Sequence, residues 1–303
     1  MAVEGQKIRY LYGATTQPEV INFVRTQCMV RDEAEVQRIV QDWKQAAQRF
    51  AAITSFPKVV PESMIVRDLP DEVASLMREI AAEPLFQRSF SMLPMSFGIV
   101  EIEKLVAGQR YVNLDYVAKL MKSLPPHPSP KDLIEFCLAK TPDVAPPAEL
   151  QLGPNVYSYR SDTTDFRFLG GFPKPLSKDD LEAAVAGGLP VAGIILLVGY
   201  GSTAINVFQV GQRYILNNGF HRLFALQKSG VRSAPTVIQH ITNPALELPP
   251  QLVGLPTQYM TTSPRPSMMM DFFDDSLVVE LRMKPRDRSV QIQWNVNQID
   301  IPK

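Results

Sequence analysis

The 26 prolines of this 303-residue chain are grouped, and the grouping decides where long helices can form. A proline has no amide to give to a helical hydrogen bond, and its ring clashes with the preceding turn. One group stands at positions 125, 126, 128 and 130, a second at 142, 146 and 147, and a third at 244, 249, 250, 256, 264 and 266. The third group rules out a compact helical domain between 241 and 266. The first two bracket a short helical stretch, KDLIEFCLA, and mark residues around 122–175 as an elaboration.

Helices are free to form ahead of the prolines. From Asp32, residues Val36, Ile39, Val40, Trp43, Ala47 and Phe50 recur at three- and four-residue steps, with polar residues on the other face. Asp32 and Glu33 stand where acidic groups suit the exposed amides of a helix start. A further helix is expected over Asp71–Ala82, closed by Pro84.

From Phe97 onward the pattern becomes mixed. A strand (Ile99, Val100, Ile102, Leu105), a loop carrying Gln109 and Arg110, and a helix through Leu114, Val117 and Leu120 are expected in turn. Val156–Phe172 reads as a hairpin turning at Ser161–Thr164. A helix from Ser177 to Gly187 follows, then the apolar run LPVAGIILLVGYG, which reads as a buried strand over 191–198. That run falls short of the roughly 20 residues of a membrane-spanning helix. Further strands are expected at Ala204–Val210 and in APTVIQHI. At the end of the chain, Leu277, Val279, Leu281 and Met283, and then Val290, Ile292, Trp294 and Val296, alternate as two arms of a hairpin around KPRDR.

Composition narrows the function classes. Basic and acidic residues are 31 each, which leaves no net charge to attract duplex DNA. The N-terminus lacks the basic start, apolar run and small-residue cleavage site of a secretory signal, so a cytoplasmic location is expected. Cys28 and Cys137 have no metal-ligand spacing and read as buried thiols. His127, in PPHPSP, reads as a solvated loop residue.

The stretch YILNNGFHRLFALQKSG concentrates the chemistry. Ile215 and Leu216 end a strand, Asn217, Asn218 and Gly219 turn the chain, and His221 and Arg222 fall in the first turn of a helix. First-turn amides point outward at the positive end of the helix dipole, and a guanidinium beside them can grip two phosphate oxygens. The same corner can also serve only to turn the chain, with Arg222 paired to a structural carboxylate such as Asp179 or Asp180.

Residues from about Leu176 to Ile241 resemble the ParB/sulfiredoxin superfamily. The matching residues are Gly219 and Arg222 of a Gly-x-x-Arg corner, Ala225 in the helix, Gly230 after it, and Pro235 in the last strand. VEIEKLVAGQR, with Gln109 and Arg110, resembles the strand and loop that open such domains. The resemblance implies a nucleotide or phosphate site built from Asn217, Asn218, Gly219, His221, Arg222, Gln109 and Arg110. Its ligand would be CTP or ATP, and His221 and Arg222 would be the catalytic residues of any hydrolysis or phosphoryl transfer. Mg²⁺ would need carboxylates, of which Asp179, Asp180 and Glu182 are nearest in sequence and equally serve as helix-start acids. The departures are Phe220 at the sulfiredoxin cysteine, which excludes that thiol chemistry, and Phe224 at the second arginine of ParB. No helix-turn-helix follows, so sequence-specific DNA binding is not expected.

The expected architecture is α/β (α+β): a helical region over 1–96, a ParB/sulfiredoxin-like mixed domain over 97–245, and a proline-rich linker with a β-hairpin extension over 246–303. The alternative function is that of a non-enzymatic scaffold. It would bind a protein partner through SPRPSMMMDFFDD and the terminal hairpin, with a homodimer as one outcome; those apolar residues can equally pack onto the protein's own core. A metal site at DFFDD, and single-strand nucleic acid binding by RYVNLDY and YSYR, are weaker readings of the same residues.

Overall fold

A computed structural model of the chain describes residues 5–53, 62–63, 69–138, 146–161, 166–177, 192–248, 251–252 and 255–299. The fold is mixed α/β. The chain divides into two compact units, one formed by 1–141 and 202–285 and the other by 142–201 and 286–303. This differs from the expected division at 96 and 245. Helices of the N-terminal region share one core with the central sheet, so no boundary falls between them.

In chain order the first unit begins with strand β1 (Gln6–Tyr10) and helices α1 (Gln17–Gln27) and α2 (Glu33–Ala52). Strand β2 (Glu62–Ser63), helices α3 (Asp71–Ala82) and α4 (Pro84–Ser89), and strands β3 (Met95–Glu101), β4 (Val106–Ala107) and β5 (Tyr111–Asn113) follow. Helices α5 (Leu114–Ser123) and α6 (Pro130–Leu138) come next. The second unit carries β6 (Ala148–Gly153), β7 (Val156–Ser161), β8 (Phe166–Pro175) and β9 (Ala192–Tyr200). The chain then returns to the first unit with β10 (Asn206–Val210), β11 (Arg213–Asn218), a helix over Phe220–Lys228 and β12 (Ser233–Ile241). Short elements lead through β13 (Gln251–Leu252) and β14 (Leu255–Pro256) to β15 (Val279–Met283), and β16 (Arg288–Gln293) belongs to the second unit.

The central sheet has the order β2-β3-β12-β10-β11-β4, with β10 parallel to β12 and β4 parallel to β11. Its inward residues, among them Val100, Val207, Leu216 and Val237, are fully buried with Leu223 and Leu226 of the Phe220–Lys228 helix. A smaller sheet, β15-β1-β5, closes a second core in which Ile8 and Tyr10 meet Val20 and Val24 of α1 and Val36 and Val40 of α2. The α2 periodicity thus does what its pattern requires, and Asp32 caps the helix by accepting from the Glu35 amide at 2.9 Å.

Two expected hairpins are absent in that form. β15 pairs with β1 and β16 pairs with β7, so the terminal strands join different sheets in different units. β7 pairs with β6 and β16, whereas β8 pairs with β9, so Val156–Phe172 is no hairpin either. Alternation fixes the buried face of a strand and leaves its partner open; in β15 and β16 the alternating burial is present as expected. The expected helix after Ser177, the Asp162–Thr164 part of the expected turn, and Asp179, Asp180 and Glu182 lie outside the described residues.

Most of the MMMDFF segment packs inward, while Met270 and Phe273 stay exposed. Met268, Met269 and Phe272 are fully buried, and Asp271 forms a two-pronged pair with Arg265 at 2.5 and 3.0 Å. Asp271 also accepts from the Met268 amide at 2.8 Å. An aspartate held this way belongs to the core, and among the described residues no cluster of metal-ligating side chains occurs.

Candidate functional site

Parallel pairing of β4 with β11 brings the ends of both strands to the same edge of the sheet. The loop with Gln109 and Arg110 and the corner at Asn217–Arg222 therefore leave neighbouring strands. Gly219 takes φ +105°, in the left-handed region, and a Cβ there would lie 2.6 Å from Ile205. Only glycine meets both conditions without strain.

The polar residues of this corner turn to their own chain. Asn217 donates to the Asn206 side chain at 2.7 Å, and Asn218 donates to the Ser202 carbonyl at 3.3 Å. Arg222 donates to the carbonyls of Phe136 at 3.3 Å and Cys137 at 3.1 Å, and to that of Thr203. Phe136 and Cys137 stand in the last turn of α6, where carbonyls lack helical partners, so a cation there satisfies them and opposes the helix dipole. Gln109 donates to the Tyr111 carbonyl at 2.6 Å, and Arg110 pairs with Glu19 at 2.8 Å. The Arg110 hydrogen bond holds the Glu19 carboxyl down to about 2.

His221 is the odd member. Its Nε2 is buried and has no hydrogen-bond partner among the described residues, and its ring meets Tyr116 of α5 edge-on at 5.3 Å between centroids. Burial, with the Arg222 charge adding to it, lowers its pKa to about 4, so the ring is neutral at pH 7. A neutral imidazole can exchange a proton at its free nitrogen but brings no charge to a phosphate.

The two phenylalanines that depart from the superfamily corner have a visible use. Phe220 meets Phe272 edge-on at 6.4 Å, and Phe224 stacks on Phe273 at 4.5 Å. Where the resemblance leads one to expect ligand-facing groups, the corner anchors the C-terminal segment of the first unit. Beyond the far end of the helix an open cleft of about 840 Å³ is lined by Arg9, Glu103, Gln227, Lys228 and Phe273; none of the expected site residues borders it.

Both cysteines are buried, and burial pushes Cys28 up to about 11 and Cys137 up to about 12, so neither is a thiolate at neutral pH. His127 is exposed in its loop. Among the described residues no helix is long and apolar enough to cross a membrane.

A feature the periodicity hid lies in the second unit. The run expected as a buried strand is β9, paired only with β8 among the described residues. Ile194 is 76% exposed, Leu196 40% and Leu197 44%, and Phe168 and Phe172 of β8 are about half exposed. An unbroken apolar run signals burial on both faces. Here, among the described residues, each face keeps exposed side chains.

No family model matches the chain, and neither the curated proteins nor the solved structures searched contain a match.

Proposed function

We propose that this chain is an interaction protein in which a ParB/sulfiredoxin-like unit serves as a scaffold and the β8–β9 ribbon is the docking surface for a protein partner. The observation that carries this reading is the exposure of Phe168, Phe172, Ile194, Leu196 and Leu197 on one two-stranded ribbon. Phe168, Ile194 and Leu196 share one face of the ribbon and Phe172 and Leu197 the other, and apolar side chains exposed together in this way mark an interaction surface. The corner supports the same reading, because Arg222 is engaged with main-chain carbonyls and Phe220 and Phe224 with Phe272 and Phe273.

A second reading keeps the nucleotide or phosphate site, with CTP or ATP as ligand and Mg²⁺ as its counter-ion. It is favoured by the helix start itself: Gly219 supplies no side-chain cap to the first-turn amides, and His221, whose Nε2 has no partner among the described residues, stands in that turn. Thermal unfolding of the whole chain with each nucleoside triphosphate, with and without Mg²⁺, separates the two, since a ligand of the folded state raises the midpoint. The scaffold reading expects no shift. A nucleotide-dependent rise present in the wild type and absent in Arg222→Ala would replace it with the phosphate reading.

A further inference from the structure

We infer that the edge of β9 away from β8, which pairs with no strand among the described residues, pairs antiparallel with β9 of a second copy of this chain, about a two-fold axis at Leu196. The inference rests on the ribbon being a docking surface and names its occupant. The two strands of the ribbon differ in how they treat an unpaired edge. β8 contains Arg167, Pro173, Lys174, Pro175 and a bulge between Phe168 and Gly170, all features that blunt an edge against further pairing. β9, AGIILLVGY, has no charge and no proline. Among the described residues its second edge pairs with no strand.

The sequence of β9 is close to its own mirror. In an antiparallel pair centred on Leu196, Ile194 faces Val198, Ile195 faces Leu197, and Gly193 faces Gly199. Every central cross-strand pair is apolar, and β-branched and aliphatic residues directly opposite one another stabilise a sheet. No like charges meet, and no charge is present to select a different partner. Two-fold self-pairing also closes on itself, which is the commonest symmetry of soluble oligomers. The result is a four-stranded sheet, β8-β9-β9-β8, with the blunted strand at each outer edge.

Sedimentation velocity of the full chain over a range of concentrations is the first arm. The wild type is expected to pass from monomer to dimer, Leu196→Lys to stay monomeric with an unchanged far-ultraviolet circular dichroism spectrum, and an equal mixture of Leu196→Lys and Leu196→Glu to recover the dimer. The second arm is Leu196→Cys under mild oxidation. Its Cα atoms would lie about 4.5–5.5 Å apart across the axis, within disulfide reach, whereas two Val198→Cys residues would be roughly 13 Å apart. Cross-linking at 196 and not at 198 is expected. A wild type that remains monomeric, a Leu196→Lys variant that dimerises as well as the wild type, or equal cross-linking at both positions would overturn the inference. Monomer without nucleotide stabilisation sinks self-pairing alone. Nucleotide stabilisation that requires Arg222 sinks the interaction reading whatever the mass.

Discussion

The Gly219 corner and the β8–β9 ribbon are opposites in how their side chains are used. At the corner, half-buried residues of the types that bind ligands turn to their own chain: an arginine satisfies helix carbonyls, Asn217 ties β11 to β10, and a histidine with a buried Nε2 stays neutral. On the ribbon, residues of the types that fill cores face outward. Residue type alone therefore predicts the exposure of neither region. What separates them is whether the chain itself supplies the partner.

The comparison can be tested from its strongest structural element outward. Asp271→Ala leaves Arg265 as a buried unpaired cation, because the pair is 8% and 2% exposed. A loss of about 3–5 kcal/mol is expected on chemical denaturation. A loss below 1 kcal/mol would mean that the segment anchored by Phe220 and Phe224 is not part of the core.

The next effect is a pH dependence. The His221 ring titrates at 6.5 in an unperturbed setting and at about 4 in the fold. Between those values the unfolded chain binds the proton and the folded chain does not, so stability falls as pH drops from 6.5 towards 4. The full loss is up to about 3 kcal/mol. Denaturation at pH 7 and pH 4.5 should show it, and His221→Asn should flatten that part of the profile. Glu19 acts in a lower window: its depressed pKa contributes stability above the ordinary 4.5 that is lost as pH falls towards 2.

Arg222→Met keeps an apolar stem and removes the donors to Phe136, Cys137 and Thr203. A destabilisation of about 2 kcal/mol is expected, the usual scale for charged hydrogen bonds left unmade. A fully stable Arg222→Met would return the guanidinium to a ligand role. The smallest effect belongs to the ribbon: Ile194→Ser, at a position 76% exposed, should change monomer stability by less than about 0.5 kcal/mol while weakening association.

These contrasts also show how much could be read from the sequence. The helices α2 and α3, the β11 turn and following helix, and the strand at APTVIQHI were legible because periodicity and turn residues act locally. The pairing of β15 with β1 and of β16 with β7 was not, because alternation carries no information about a partner more than a hundred residues away. For Arg222 the sequence offers a phosphate, or a carboxylate such as Asp179 or Asp180, as partner, whereas the α6 carbonyls that accept from it lie 85 and 86 positions earlier, beyond the reach of any local pattern. The β9 run was legible as a strand, and its exposure was not, since an apolar run is written the same way whether its cover comes from the same chain or from another.

Backbone hydrogen exchange of the full chain at low and high protein concentration, with and without ATP or CTP and Mg²⁺, reads both regions at once. The account predicts that amides of Ala192–Tyr200 gain protection as concentration rises, while those of Phe220–Lys228 are protected throughout and indifferent to nucleotide. Concentration-independent exchange in β9, together with nucleotide-dependent protection at the Gly219 corner, would contradict it.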